Sequence, residues 1–138
     1  MKRTVMLAAA FGAALVSGGT AALAADGETI FKRCMACHSL EEGKNKVGPS
    51  LYGVVGRTAG TAEGFRYSEL NHTAGELGLA WTKENIVAYL PDPQGFLENF
   101  IKENGGDPKG RTKMTYRLRD EGDANAVVDY VASHGGDS

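Results

Sequence analysis

The sequence has few of the side chains from which metal clusters are built. Its 138 residues include only two cysteines and three histidines. A zinc site needs about four ligands at suitable spacing, and His72 and His134 lie far along the chain from the cysteine pair. The sequence also has no run of alternating apolar and polar residues, which argues against half-buried strands. Neither a zinc module nor a sheet protein is the favoured interpretation.

Long hydrophobic runs are also scarce. Residues 4–25 form an apolar segment after a short cationic start, and no second one follows. Residues 17–20, Ser-Gly-Gly-Thr, interrupt this segment, which argues against a membrane anchor. The pattern is typical of a secretory signal peptide, with Ala-Leu-Ala at 22–24 as the cleavage site. We expect residues 1–24 to be a signal peptide and residues 25–138 a single domain, exported and without a stable membrane anchor.

An excess of positive charge is absent as well. Removal of Lys2 and Arg3 with the signal peptide leaves 13 basic and 17 acidic residues, a formal charge of −4. This balance argues against a nucleic-acid partner. The 19 glycines and four prolines lie mostly between the apolar segments. A small, loop-rich domain of this kind often needs a disulfide, a metal or a cofactor for stability.

Both cysteines lie in the stretch "KRCMACHSL", where Cys34, Cys37 and His38 form a C-x-x-C-H pattern. A disulfide between these cysteines would close a very short loop and constrain little of the unfolded chain. A thioredoxin-like dithiol is expected in a βαβ setting, which the sequence does not show. In C-x-x-C-H, the thiols can add to the two vinyl groups of a haem and the histidine can bind the iron. The pattern favours covalent haem, and a non-haem C-x-x-C module is the alternative.

The sixth position on the iron decides between an electron carrier and a ligand binder. Methionine thioether is a known axial ligand. Of the four methionines, Met1 and Met6 belong to the signal peptide and Met35 lies inside the attachment motif. Met114, in the irregular stretch "KGRTKMTYRL", is therefore the candidate distal ligand. The alternatives are a core methionine that fills a gap, and a gas binder or small peroxidase in which Met114 does not bind or is easily displaced.

Apolar periodicity and capping residues predict an all-α protein. Thr82 and Asp123 are the expected N-caps of two helices, and Gly135 is the expected C-cap of the second. Pro91 and Pro93 are expected to stop the helix that begins after Thr82. The predicted helices cover residues 27–37, 68–74, 82–90, 95–104 and 123–134, with a long loop over 39–64.

Four stretches together resemble the class I c-type cytochromes, and most closely the bacterial cytochrome c2 group. These are "CMACH", "GPSLYGVVGRTAGTAEGFRYSELN", "WTKENIVAYLPDP" and "KMTYRL", in the order that this family uses. The resemblance implies an all-α fold in which N- and C-terminal helices cross over a covalently bound haem, with Gly27 and Phe31 against Tyr130. It also implies that Cys34 and Cys37 bind the haem, that His38 is the proximal ligand and that Met114 is the distal ligand.

The resemblance implies further roles around the haem. The carbonyl of Pro49 would accept a hydrogen bond from His38 Nδ1, and Tyr89 would lie near the methionine sulfur. Three side chains would lie near the haem propionates, namely Arg57, Tyr67 and Trp81. The segment over 93–113 is longer than in the shortest relatives, and Tyr116 stands where many of them have phenylalanine. These departures are expected to affect the reduction potential and the choice of redox partner, and not the fold.

The function implied by this resemblance is one-electron transfer, and the protein is not expected to be an enzyme. A soluble, monomeric periplasmic carrier would cycle between Fe(II) and Fe(III), in respiration or photosynthesis. The cytochrome bc1 complex would be its donor, and a photosynthetic reaction centre or terminal oxidase its acceptor. A cationic segment over residues 109–119 would form the docking face; alternatively, it is only a solvated surface. The segment lacks Asp and Glu, and its basic residues are Lys109, Arg111, Lys113, Arg117 and Arg119.

Overall fold

The computed structural model describes residues 12–13 and 26–136. Apart from residues 12 and 13, the predicted signal peptide lies outside these ranges. Within them the chain contains no strand, only an isolated antiparallel bridge between Thr58 and Ala80. The predicted all-α class is confirmed. The helices in chain order are α1 Gly27–Phe31, α2 Glu69–Glu76, α3 Lys83–Tyr89, α4 Pro93–Glu103 and α5 Glu121–His134.

No helix in the described part of the chain has the length and apolar character needed to cross a membrane.

Helix α1 is shorter than the sequence predicted. It ends at Phe31, and the prediction of a helix to residue 37 is wrong. Beyond Phe31, i→i−4 bonds such as that from His38 N to Cys34 O at 2.9 Å are mixed with i→i−3 bonds, from Arg33 N to Ile30 O at 3.0 Å and from Cys37 N to Cys34 O at 3.1 Å. The i→i−3 bonds give the stretch its irregular, turn-like geometry. Such contacts are typical of the tighter 3₁₀ geometry. The attachment motif therefore lies in a series of turns, not on the face of a helix.

The first and last helices cross where Gly27 meets α5. A Cβ added at Gly27 would lie 2.3 Å from the carbonyl oxygen of Ala126 and 2.8 Å from the Cβ of Tyr130. Next to this contact, the rings of Phe31 and Tyr130 have centroids 5.6 Å apart. The absence of a side chain at position 27 allows the two backbones to approach this closely. The packing implied by the resemblance is confirmed.

Helices α2 and α3 begin at hydroxyl caps. The side chain of Ser68 accepts a hydrogen bond from Asn71 N, and that of Thr82 accepts one from Asn85 N, both at 3.1 Å. The Thr82 prediction is confirmed. Helix α3 ends before Pro91, as predicted. Helix α2 runs two residues beyond its predicted end.

Helices α4 and α5 both begin earlier than predicted. Pro93 occupies the first turn of α4, where its missing N–H leaves no bond unmade. The N-cap of α5 is Asp120, whose side chain accepts from Asp123 N at 2.8 Å. The assignment of Asp123 as N-cap is therefore wrong, because that residue lies in the first turn. Gly135 is the C-cap, as predicted.

The helices pack in a chain of neighbours: α1 with α5, α5 with α3, α3 with α4, and α4 with α2. Their contacts are made by fully buried aliphatic side chains, including Ile30, Leu70, Leu97 and Ile101. A fifth, Leu79, comes from the loop between α2 and α3. This arrangement leaves a large cavity among the described residues, lined by residues of α1, α2, α3 and α5 and of the loops.

Candidate functional site

The cavity has a volume of about 390 Å³ and mostly apolar walls. Cys34, Cys37 and His38 line it from the turns that follow α1, and Met114 lines it from the segment between α4 and α5. Residues separated by more than 70 positions in the sequence thus share one cavity. Its size is within the range of cofactor and ligand sites. All four residues that the sequence predicted for the haem site line this cavity.

The two cysteines are free thiols and are half-buried. Burial raises the pKa of Cys34; the charge on Arg33 opposes this shift, and the neighbouring Cys37 adds to it. A raised pKa keeps the thiol protonated, unlike the activated thiolate of a redox dithiol. The structure gives no support to the thioredoxin-like alternative.

The imidazole of His38 is held from one side by the backbone of the next loop. Its Nδ1 donates to the carbonyl oxygen of Pro49 at 2.7 Å, as the resemblance implied. This bond places the proton on Nδ1 and leaves Nε2 with a lone pair for a metal. Burial lowers the pKa of His38; the Pro49 hydrogen bond opposes this shift, and the charges on Arg57 and Lys46 add to it. The neutral imidazole, which is the form that binds metals, is therefore favoured.

The thioether of Met114 lies beside a buried tyrosine. The hydroxyl of Tyr89 donates to Met114 Sδ over 3.4 Å, as the resemblance implied. Burial raises the pKa of Tyr89 to about 12, against a hydrogen bond with the side chain of Thr112 that lowers it. The tyrosine therefore stays neutral and is a donor. Met35, by contrast, is 50% exposed and does not line the cavity.

Two residues that line the cavity carry buried polar atoms that lack partners among the described residues. Arg57 donates from its terminal nitrogens to the carbonyls of Ser50 and Tyr52, but its buried Nε has no partner in the described part of the chain. The buried Oδ1 of Asn71 also has none. Unpaired buried polar groups are costly, so each is expected to meet a partner that fills the cavity. A carboxylate would satisfy Arg57 Nε, and a donor such as water would satisfy Asn71.

Tyr67 and Trp81, the other residues implied to lie near the propionates, also line the cavity. The hydroxyl of Tyr67 accepts from Ala62 N at 3.0 Å, and its proton is free for another acceptor. Sequence reasoning did not identify Asn71. A single asparagine in a short amphipathic helix gives no signal of a site, and its role follows only from the placement of α2.

These residues fit a haem. Two thiols lie beside a histidine whose Nε2 is available, and a thioether lies on the same cavity. The apolar walls match a porphyrin, and the unpaired Arg57 Nε matches a buried carboxylate. The unpaired Nε of Arg57 supports the haem independently of the C-x-x-C-H motif, because it lies far from that motif in the sequence.

Comparison with known proteins identifies the family. The family model for cytochrome c matches residues 24–135. Cytochrome c2 from Rhodopseudomonas palustris is 54% identical over 112 residues, which cover 80% of this chain and 96% of the relative. Cytochrome c2 iso-2 from Rhodospirillum centenum is 54% identical over 110 residues, covering 78% and 91%.

Solved structures agree with these relatives. The structure of cytochrome c2 from Rhodospirillum centenum matches with a TM-score of 0.76 and 53% identity, covering 78% of this chain and 94% of that one. The ferricytochrome c2 from Rhodopseudomonas palustris matches with a TM-score of 0.75 and 53% identity, covering 78% and 95%. The fold is therefore that of the class I cytochromes c. The chain belongs to the cytochrome c family and is a haem electron carrier, not an enzyme.

Proposed function

We propose that this chain is a soluble periplasmic one-electron carrier with one haem c, held by thioether bonds from Cys34 and Cys37 and by axial bonds from His38 and Met114. The main observation in support is that all four residues line one cavity. When bound, the haem supplies the Fe(II)/Fe(III) couple. The contribution of the chain is to hold its ligands, exclude water and present one face to partners.

The surroundings of His38 fix its ring and strengthen Nε2 as a metal ligand. Pro49 accepts the Nδ1 proton of His38 at 2.7 Å, so the ring cannot turn without losing this bond. The acceptor also increases the electron density available at Nε2. No proton needs to move at His38 when the charge of the site changes, which favours fast transfer.

The methionine side favours the reduced state. A thioether ligand raises the reduction potential relative to nitrogen or thiolate ligands. The Tyr89 hydroxyl at 3.4 Å keeps the sulfur of Met114 oriented, and the aromatic rings of Trp81 and Phe96 pack around this tyrosine with centroids 4.7 and 5.8 Å away. An apolar environment disfavours the extra positive charge of the oxidised site.

The arginine wall would hold the propionates. Arg57 lines the cavity and is fixed by its bonds to two backbone carbonyls, and its buried Nε has no partner among the described residues. Its charge would compensate a carboxylate that is removed from water. Tyr67 and Trp81 would contribute neutral donors to the same groups.

The partners that we propose are membrane redox complexes of the periplasm: a cytochrome bc1-type donor, and a photosynthetic reaction centre or terminal oxidase as acceptor. Docking would be transient and made through the cationic segment. Three of its five basic side chains contact other described residues. Lys113 donates to Arg66 O and lies over the ring of Phe65, Arg117 pairs with Asp92 at 3.4 Å, and Lys109 lies 3.8 Å from Asp107.

Arg111 and Arg119 are exposed and have no hydrogen bond or ion pair among the described residues. They therefore offer the least compensated positive charge of the segment. Positive charge around a haem edge would orient the carrier toward an acidic surface before contact. Because the mature chain is acidic overall, the segment would also give it a dipole.

The proposal is tested by absorption spectra of the purified protein, oxidised and reduced, together with acid–acetone extraction. We expect a low-spin spectrum, and haem that stays with the chain because thioether bonds survive unfolding. Haem released quantitatively from the wild type would exclude covalent attachment, and a Cys34→Ala/Cys37→Ala variant should lose it. The N-terminal sequence of the exported protein tests cleavage after Ala24.

A further inference from the structure

A side-chain amide on α4 binds the backbone of the segment that carries Met114. Residues 104–120 form no helix of their own. Gln94, in the first turn of α4, accepts from Thr112 N through Oε1 at 2.8 Å and donates from Nε2 to Gly110 O at 3.2 Å. The amide thus pairs with an N–H and a carbonyl two residues apart, as a neighbouring strand would do.

Glu98 orients this amide. One turn further along α4, its Oε1 accepts a second hydrogen bond from Gln94 Nε2, at 2.6 Å. Both protons on Nε2 are then used, one toward Glu98 and one toward Gly110. Because the bond to Glu98 identifies which end of the amide carries the protons, Oε1 must face Thr112. The pair on α4 therefore presents an acceptor and a donor in a fixed order to the segment.

Thr112 connects this contact to the methionine. Its Oγ1 accepts from Met114 N at 3.3 Å, and its side chain lies near enough to the Tyr89 hydroxyl to lower the pKa of that tyrosine. Tyr89 in turn contacts Met114 Sδ. The residue whose backbone Gln94 holds is thus the residue that contacts both the backbone of Met114 and its tyrosine partner.

We infer that Gln94 is a positioning residue for Met114. It holds residues 110–112 against α4, and through Thr112 it limits how often the thioether leaves the cavity. This inference rests on the proposed function, because it requires Met114 to be an axial ligand. Without the amide, the segment has an unpaired N–H and an unpaired carbonyl, so a conformation in which water reaches both becomes more populated.

Imidazole binding to the oxidised, haem-loaded protein measures that population, since the exogenous ligand binds only where Met114 has left. The apparent dissociation constant is the intrinsic constant divided by the open fraction. We expect Gln94→Ala to tighten apparent imidazole binding about tenfold, a change of ~1.4 kcal/mol. Exchange of the Thr112 amide proton should accelerate in the same variant, which is a readout that does not involve the iron.

Asn104→Ala is the matched control. Asn104 caps the C-terminal end of the same helix, and its amide donates only to Phe100 O at 2.8 Å. This variant loses a side-chain amide bond on α4 without touching residues 110–114. We expect it to leave both imidazole affinity and Thr112 exchange as in the wild type.

A charge exchange tests the orientation of the amide. Gln94→Glu keeps an acceptor for Thr112 N but cannot donate to Gly110, and it places a second carboxylate beside Glu98. Adding Glu98→Gln restores a donor–acceptor bond between positions 94 and 98. We expect imidazole to bind most tightly to the single variant and less tightly to the double variant. If Gln94→Ala does not fold, a single Gln94→Glu variant with wild-type affinity overturns the inference.

The wild-type spectrum distinguishes a failure of Met114 ligation from a failure of the inference about Gln94. Its oxidised spectrum should show the charge-transfer absorption of methionine bound to iron, and Met114→Ala should abolish it. Absence of that absorption in the wild type would overturn Met114 ligation and this inference with it. Its presence, with Gln94→Ala indistinguishable from Asn104→Ala in imidazole affinity and Thr112 exchange, would overturn the inference alone.

Discussion

The backbone of Gly48 lies directly against the imidazole of His38. A Cβ at position 48 would lie 2.4 Å from Cε1 and 2.8 Å from Nδ1 of the ring. Only glycine therefore allows the ring to occupy the position in which Nδ1 reaches Pro49. The same loop is held to the attachment motif by a bond from Gly48 N to Cys37 O at 2.7 Å.

Gly48→Ala should displace the imidazole and lengthen its bond to Pro49. We expect a loss of about 1–3 kcal/mol in the free energy of unfolding, the usual cost of overpacking a tight contact. Denaturant titration of the haem-loaded protein, followed by haem absorption, measures it. Glu42→Ala is the control, because Glu42 is exposed and does not line the cavity. Equal midpoints for the two variants would contradict this account.

Met114→Ala should lower the reduction potential and allow imidazole or carbon monoxide to bind the iron. Apparent imidazole affinity should rise ~10-fold or more, because the competing ligand is gone. The controls are His72→Ala and His134→Ala. His72 pairs with Glu76 at 3.2 Å and His134 stacks on Tyr130 with centroids 4.2 Å apart, and neither lines the cavity. A low-spin spectrum abolished by either histidine change would indicate bis-histidine ligation.

Gly27→Ala should separate α1 from α5. The new methyl group would meet Ala126 O at 2.3 Å, so we expect a destabilisation of about 1–3 kcal/mol in thermal or denaturant unfolding. Glu28→Ala is the control, since Glu28 is exposed on the same helix. If both variants unfolded at the same denaturant concentration, the close approach at Gly27 would contribute nothing to stability.

Reversing the unpaired cations should slow electron transfer to a membrane partner. We expect Arg111→Glu or Arg119→Glu to reduce the association rate about tenfold at low salt, and the difference to shrink as ionic strength rises. Lys113→Glu is a less clean test because Lys113 also contacts Arg66 and Phe65. Glu42→Lys, outside the cationic segment, is the control. If the stopped-flow rates changed neither with ionic strength nor with the two arginine reversals, docking would use another face.

The structural features that the sequence predicted correctly are those determined by residues close together in the chain. Thr82 directly precedes an apolar helix pattern, so the sequence alone predicts that it is the N-cap of α3. Asp123 was predicted as the N-cap of the last helix, but Asp120 is the cap and Asp123 lies in the first turn, because apolar periodicity does not mark a polar first turn. Helix α1 was predicted too long, because its apolar spacing continues to Cys34 while the actual end is imposed by the turns that bring the thiols and His38 to the cavity.

The residues of the site also fall into two groups: those that a sequence pattern marks and those that only the packing of the helices brings to the site. A short motif predicts Cys34, Cys37 and His38 as site residues, and elimination among four methionines predicts Met114; all four line the cavity. Asn71 and Gln94 could not be predicted, because the partners of their side chains depend on how α2 and α4 pack. An amide has no sequence spacing that distinguishes a solvated side chain from one that holds a loop.

The crossing of α1 with α5 also orders events during synthesis. The residues that Gly27 and Phe31 contact lie about 100 positions further along the chain, so α1 lacks these contacts until residues 126–130 have been made. Contacts of such long sequence separation form slowly, because a large loop must close first. The cysteines that follow α1 therefore stay accessible in the newly made chain, and haem attachment can precede the folding that buries its site.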